Sequence, residues 1–154
     1  MVCLDMHHHR DALITQDGYD RLRNELRELE RQLQHARTDG GDLALIDVLE
    51  RRVRLHVARL AGARVAAPAS ADGAAQVGTR VGVRTSEGEV RHYALVGAGE
   101  ADPARGQISI ASPVGKAIMG RRAGEQVVVE TPRRHARFEL VSVEPLAGRS
   151  AKAA

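Results

Sequence analysis

The sequence predicts an α+β protein: an N-terminal antiparallel helical hairpin of coiled-coil type, then a C-terminal antiparallel β domain carrying one short helix. Three observations predict it. Apolar residues recur at spacings of three and four from Tyr19 to Ala63, a stretch without proline. Residues 66–76, AAPASADGAAQ, then break the pattern with small residues, Pro68 and Gly73, the chemistry of a linker. From Val77 onward the chain turns to short β-branched runs separated by Gly and Pro, which are strand signals.

In the first arm, Tyr19, Leu22, Leu26, Leu29, Leu33 and Ala36 form a heptad seam, and charged residues fill the other faces. Thr15 stands where its hydroxyl can accept an exposed N–H of the first turn. Thr38-Asp39-Gly40-Gly41-Asp42 ends the helix, since two glycines favour turn conformations. Ile46, Leu49, Val53, His56, Leu60 and Ala63 make the second seam. A break this short leaves the arms as antiparallel neighbours, each about 30 Å long for about 20 residues.

In the second half the predicted strands are Thr79–Thr85, Val90–Val96, Gln107–Ile110, Gln126–Glu130 and Arg137–Val143. Ser86-Glu87-Gly88 signals a hairpin turn between the first two. Pro113–Met119 reads as a short helix, with Pro113 suited to a first turn. The expected organisation is a flexible tail over 1–12, the helical hairpin over 13–65, the linker over 66–76, the β domain over 77–146 and a tail over 147–154.

Composition excludes several functions. Apolar residues are 43% and charged residues 28%, the profile of a folded chain. No apolar run reaches the about 20 residues of a membrane span, and the N-terminus lacks a secretory apolar core, so a cytoplasmic protein without membrane contact is expected. A single cysteine, Cys3, rules out an internal disulfide. Aromatics are only 2%, too few for base-stacking platforms, and with Tyr93 and Phe138 alone in the second half, an aromatic-lined isomerase pocket is not expected. The net charge of +3 does not by itself demand a nucleic-acid partner. His7, His8 and His9 read as an incidental tract. No Gly-rich phosphate loop, nucleophile elbow or metal-binding His-Glu-x-x-His helix is present, and neither an enzyme nor a resident cofactor is expected.

Two segments carry a resemblance. In ISIASPVGKAIMGRRAGEQVVVETP, residues 108–132, a strand enters Ser-Pro-aliphatic-Gly, a short helix ends in Gly, and Gly-acidic precedes a Val-rich strand ending in Thr-Pro. In LITQDGYDRLRNEL, residues 13–26, Leu-Thr-x-x-Gly-Tyr-x-x-Leu runs straight into the first arm only in approximate form. Together these resemble the Gre family of bacterial transcription factors. The resemblance implies a coiled coil joined to a domain of FKBP-like fold. It implies RNA polymerase as partner, bound at the secondary channel with the hairpin turn pointing inward, and indirect contact with RNA or DNA in the elongation complex. In cleavage-stimulating members, acidic side chains at the turn hold a second magnesium ion that activates water, the two-metal scheme.

Here the sequence departs from the family. The family turn reads Ala-Arg-x-x-Gly-Asp-Leu-x-Glu-Asn, whereas this chain has Asp42 at the Asp position but Leu45 where the Glu stands. A leucine cannot bind a hard cation. The arms are also shorter than the family's by about one or two heptads, and one heptad is about 10 Å of reach. The expectation is therefore a monomeric, Gre-like polymerase-binding protein that modulates transcription without cleavage. Asp39, Asp42 and Asp47 are the candidate contacts to a polymerase-bound Mg²⁺; the plainer reading makes Asp39 and Asp42 turn residues and Asp47 a helix-start charge. Ser112, Pro113, Val114 and Gly115 are candidates for partner binding or for shaping the fold. Arg121 and Arg122 could meet an acidic polymerase surface, or be a solvated helix end. Arg51, Arg52, Arg54 and Arg59 give the second arm a basic cast that could meet RNA phosphate or simply be a solvated face. Two alternatives stay open: a true cleavage factor using Asp42 with Asp39 or Asp47, and a short-armed interaction module like the Rnk regulators.

Overall fold

The structure is a computed structural model that describes residues 13–68, 72–132 and 134–146. The expected tails at 1–12 and 147–154, with Cys3 and His7 to His9, lie outside the described residues. The chain divides into two compact units, one of Gln16–Ala63 and one of the residues before Gln16 and from Arg64 onward.

The first unit is a helical hairpin of α1 (Gln16–Thr38) and α2 (Leu43–Gly62). Its seam is the predicted one. Leu29, Leu33, Ala36 and Leu49 are buried, with Ile46 and Val53 packed against them. Gly41 is glycine because the turn folds back on α1: its N–H donates to the Ala36 carbonyl at 2.8 Å, and a Cβ there would sit 2.6 Å from that oxygen. His56 lies in the seam with its side chain 13% exposed. Its Nδ1 meets the Arg52 carbonyl at 2.9 Å and its Nε2 stands 3.4 Å from the Glu25 carboxylate, so a polar ring is tolerated where Leu or Ile would fit.

The second unit contains β1 (Leu13–Ile14) and β2 (Arg64–Val65), then β3 (Thr79–Thr85), β4 (Val90–Val96), β5 (Gln107–Ser109), α3 (Pro113–Ile118), β6 (Gln126–Thr131) and β7 (Arg134–Pro145). The sheet order is β5-β4-β3-β7-β6. Val81, Val83, Leu95, Val127, Val129 and Leu140 alternate onto one face and pack with Ile118 of α3, forming the core. Two expectations need correction. The sheet is not wholly antiparallel, because β5 pairs with β4 in parallel. Pro103–Arg105 forms a 3-10 turn that carries the chain back across, so β5 runs in the same direction as β4. The linker reading also runs too far. Ala75 is 1% exposed and its N–H and carbonyl bond to the Gly120–Arg121 turn, so a small residue there marks close packing rather than freedom.

Sequence patterning missed β1 and β2, which are two residues each and pair in parallel at the points where the chain enters and leaves the hairpin. Glu100 ties this strap down. Its carboxylate accepts from the Thr15 N–H (2.9 Å), the Thr15 hydroxyl and the Gly97 N–H (2.8 Å). Among the described residues no helix is long and apolar enough to cross a membrane.

Candidate functional site

Two places hold the residues singled out by sequence: the hairpin turn and the surface around α3. At the turn, the three candidate carboxylates are near one another in the chain but each has its own partner. Asp42 caps α2, its Oδ1 accepting from the Ala44 N–H at 3.0 Å. Asp39 accepts from the Thr38 hydroxyl at 3.1 Å and stands 3.3 Å from His35 Nδ1. Asp47 pairs with Arg51 one helical turn on. The hydrogen bond from Arg51 holds the Asp47 carboxyl below the usual carboxylate range, and the same bond raises Arg51. A further pair, Arg37 to Glu50 at 2.7 Å, bridges the arms. Among the described residues no three His, Cys, Asp or Glu side chains are grouped to hold a metal ion.

What the turn presents instead is apolar. Leu43 is 82% exposed, and Leu45 and Val48 are each 50% exposed. The turn's acidic groups are satisfied internally while its leucines are not, the reverse of a cation site.

Around α3, Ser112 is the N-cap. Its hydroxyl accepts from the Gly115 N–H at 3.0 Å and donates to the Ser109 carbonyl at 2.7 Å. Pro113 occupies the first turn and is exposed. Gly115 is buried where a Cβ would collide with the Ser109 carbonyl oxygen. Ser112 and Gly115 are thus consumed in holding α3 against β5, while Pro113 and Val114 face outward or into a cleft. Arg122 is tied to Asp72 at 3.7 Å, and its N–H donates to Glu125 at 2.9 Å. Arg121 is exposed, with its backbone bonded to Ala75.

The cleft beside Val114 holds about 390 Å³ and was not legible in the sequence. Its walls are aliphatic, from Val83, Ile108, Val114 and Val129, and it gathers both Tyr93 and Phe138. An apolar pocket therefore does form with only two aromatics, because the sheet brings both to one end of its packed face. Register explains the convergence: Thr85 lies opposite Phe138, and Val81 opposite Tyr93. At its rim, Arg91 bonds to Glu89 (2.8 Å), and bonds to Glu89 and Tyr93 raise its pKa. The Thr85 hydroxyl is buried in this wall with no hydrogen-bond partner among the described residues. An apolar cleft with one unanswered polar group in its wall suits an apolar side chain that brings its own hydrogen-bonding group. The only available sequence signal was strand alternation, which marks these positions as inward-facing but not as neighbours of one opening.

Residues 70–145 match the family described as transcription elongation factor, GreA/GreB, C-terminal. Transcription elongation factor GreA of Syntrophobacter fumaroxidans is 32% identical over 149 residues, covering 84% of this chain and 96% of that protein. GreA of Nitratidesulfovibrio vulgaris (Miyazaki F) is 33% identical over 148 residues, covering 84% and 92%. Among solved structures, the prokaryotic transcription elongation factor GreA/GreB from Nitrosomonas europaea matches with a TM-score of 0.43 at 24% identity, covering 86% of this chain and 98% of that one, a likeness too loose to add to the sequence match. With both of these relatives above 30% identity and aligned over more than nine-tenths of their length, this chain belongs to the GreA/GreB family of transcription elongation factors.

Proposed function

We propose that this protein binds bacterial RNA polymerase at the secondary channel, hairpin turn inward, and modulates elongation without stimulating transcript cleavage. Family membership supports the partner. The observation that carries the rest is the state of the turn. Leu45 replaces a carboxylate, and Asp39, Asp42 and Asp47 are spent on His35, the α2 N-terminus and Arg51. Recruiting Asp42 to a shared magnesium ion would uncap α2, which costs about 1 kcal/mol before any metal is bound. Recruiting Asp47 would break its pair with Arg51. A turn of this kind fills space and excludes water and nucleotide rather than activating water.

The β unit supplies the docking surface in this reading. Exposed Pro113 and the cleft walled by Val114 receive an aliphatic side chain of the polymerase, with Arg121 alongside. Ser112, Gly115 and Arg122 contribute by holding that surface in shape. A polymerase-bound role places the protein in the cytoplasm.

The test is a stalled, backtracked elongation complex given the protein with Mg²⁺. The expected result is no shortening of the RNA and a dose-dependent slowing of nucleotide addition. Robust cleavage abolished by Asp42→Ala would establish the shifted acidic pair instead. In a pull-down with purified polymerase, Val114→Arg should lose binding. Absence of binding by the wild type at low salt would point to a stand-alone interaction module.

A further inference from the structure

His56 is the polar exception in the seam of α2, and its surroundings treat its two ring nitrogens differently. The side chain is only 13% exposed. Nδ1 lies 2.9 Å from the Arg52 carbonyl oxygen. A carbonyl has no proton to give, so Nδ1 carries the hydrogen and donates it. Nε2 stands 3.4 Å from a carboxylate oxygen of Glu25 on α1. A neutral ring with its hydrogen on Nδ1 therefore turns a bare lone pair toward that carboxylate, acceptor against acceptor. A protonated ring turns an N–H toward the same oxygen and joins the two arms by a charge-assisted contact.

We infer that His56 is a proton-operated clasp between the arms of the hairpin, tight when the imidazole is charged and slack when it is neutral. The charges around the ring decide the sign. From α1 the ring faces Arg21, Glu25 and Glu28; on α2 itself its neighbours are Arg52 and, about one turn on, Arg59. Glu28 is engaged by Arg31 and Gln32. Arg21, Arg52 and Arg59 oppose a charge on the ring, but all three are exposed and water and salt screen them. Glu25 instead stands directly against Nε2, so the near opposite charge outweighs the screened like ones. A groove of about 450 Å³ opens beside the ring and gives solvent protons a way in. The Glu25 carboxylate stays charged above about pH 4.3, so the imidazole alone sets the window. The contact exists only in the folded hairpin. The stability it adds is therefore present at mildly acid pH and is lost as pH rises through the range where an imidazole gives up its proton, about 6.5. A leucine at this seam position would pack without any such dependence. If the hairpin works inside a polymerase channel, a point that rests on the proposed function above, the proton sets how firm an arm it offers there.

Thermal melts of the full chain, followed by the helical circular dichroism signal at about pH 5.5 and about pH 8, test this. The wild-type midpoint should stand several degrees higher at the lower pH. His56→Gln and Glu25→Gln should each remove that difference, the first by deleting the proton's site and the second by deleting its partner while leaving His56 in place. His35→Gln should keep it, because the His35–Asp39 pair is exposed on both sides and lies within one helix end rather than between the arms. His56→Leu should show one midpoint at both pH values, above the wild type's at about pH 8. Nitrogen NMR of the imidazole rings adds a readout that packing alone would not move: at about pH 8, His56 should carry its hydrogen on Nδ1. If His56→Gln fails to fold, Glu25→Gln and the ring spectrum still decide. A wild-type midpoint that does not fall with rising pH, a difference that survives Glu25→Gln or vanishes in His35→Gln, or a hydrogen on Nε2 at about pH 8 overturns the proposal. None of these readouts needs polymerase, so a clasp that works in a protein blind to polymerase sinks only the proposed function, and a polymerase-binding protein whose hairpin ignores pH sinks only the clasp.

Discussion

Gly115→Ala tests whether the Ser112–Gly115 element is shaped by packing. The added methyl would be driven into the Ser109 carbonyl oxygen, with the Ser109 carbonyl carbon at 2.8 Å and Ile110 Cα at 2.9 Å. All three are backbone of the β5 region, which is held in the sheet and cannot swing aside like a side-chain tip. Relief therefore requires α3 to lift, and α3 carries Ile118, which is 0% exposed. Overpacking of this kind costs about 1–3 kcal/mol, and rigid backbone on one side puts this case at the upper end. For a unit of roughly 80 residues, each kcal/mol moves Tm by about 4–8 °C, so a fall of about 10–20 °C is expected. Differential scanning calorimetry of the full chain reads it, since the two units can melt as separate transitions and only the β unit's should shift. Gly88→Ala is the control. It sits at φ +85° in the β3–β4 turn with nothing within 4 Å, so it costs only the left-handed backbone penalty of about 1–2 kcal/mol. A shift of under about 3 °C for Gly115→Ala, or one no larger than for Gly88→Ala, would refute the packing argument.

Three further outcomes are expected. Thr85→Val replaces a buried, unpartnered hydroxyl with a methyl of similar shape, so the β unit should hold its stability or gain up to about 1 kcal/mol; a comparable loss in its melting transition would mean the hydroxyl has a partner after all. Asp42→Ala removes the α2 cap and should cost the hairpin about 1 kcal/mol in a helical melt followed by circular dichroism, with an unchanged midpoint counting against the cap. For pH, Asp47 is held by Arg51 below its ordinary value, so the carboxylate's contribution is present above the unfolded pKa, about 3.9, and is lost as pH falls through the lower folded one. The urea midpoint of the helical signal should fall below about pH 4 more steeply in wild type than in Asp47→Asn; identical acid profiles would sink the assignment.

The sequence alone determined the helical hairpin, its seam and its turn, because a 3.6-residue period writes the buried face directly into the order of Leu29, Leu33, Leu49 and Val53. It also determined β3 and β4 to the residue, since strand alternation and the Ser86-Glu87-Gly88 turn are local signals. Leucine at position 45 of the turn was likewise readable, but not the engagement of the three aspartates, which depends on rotamers and on His35 and Arg51 standing one turn away. Other features were decided only in three dimensions. The two-residue strands at the hairpin base are too short to leave a period, and exist because Glu100 and Gly97 meet them from far along the chain. The parallel β4–β5 pair depends on how a loop crosses, and Ala75 in the core depends on a turn at Gly120 that no neighbour in sequence announces. The cleft is the clearest case. Its walls come from five strands and a helix, so composition could count Tyr93 and Phe138 but only the register of the sheet could bring them to one opening. Periodic contacts are encoded locally and survive in one dimension, whereas convergence of distant strands is a property of the closed sheet.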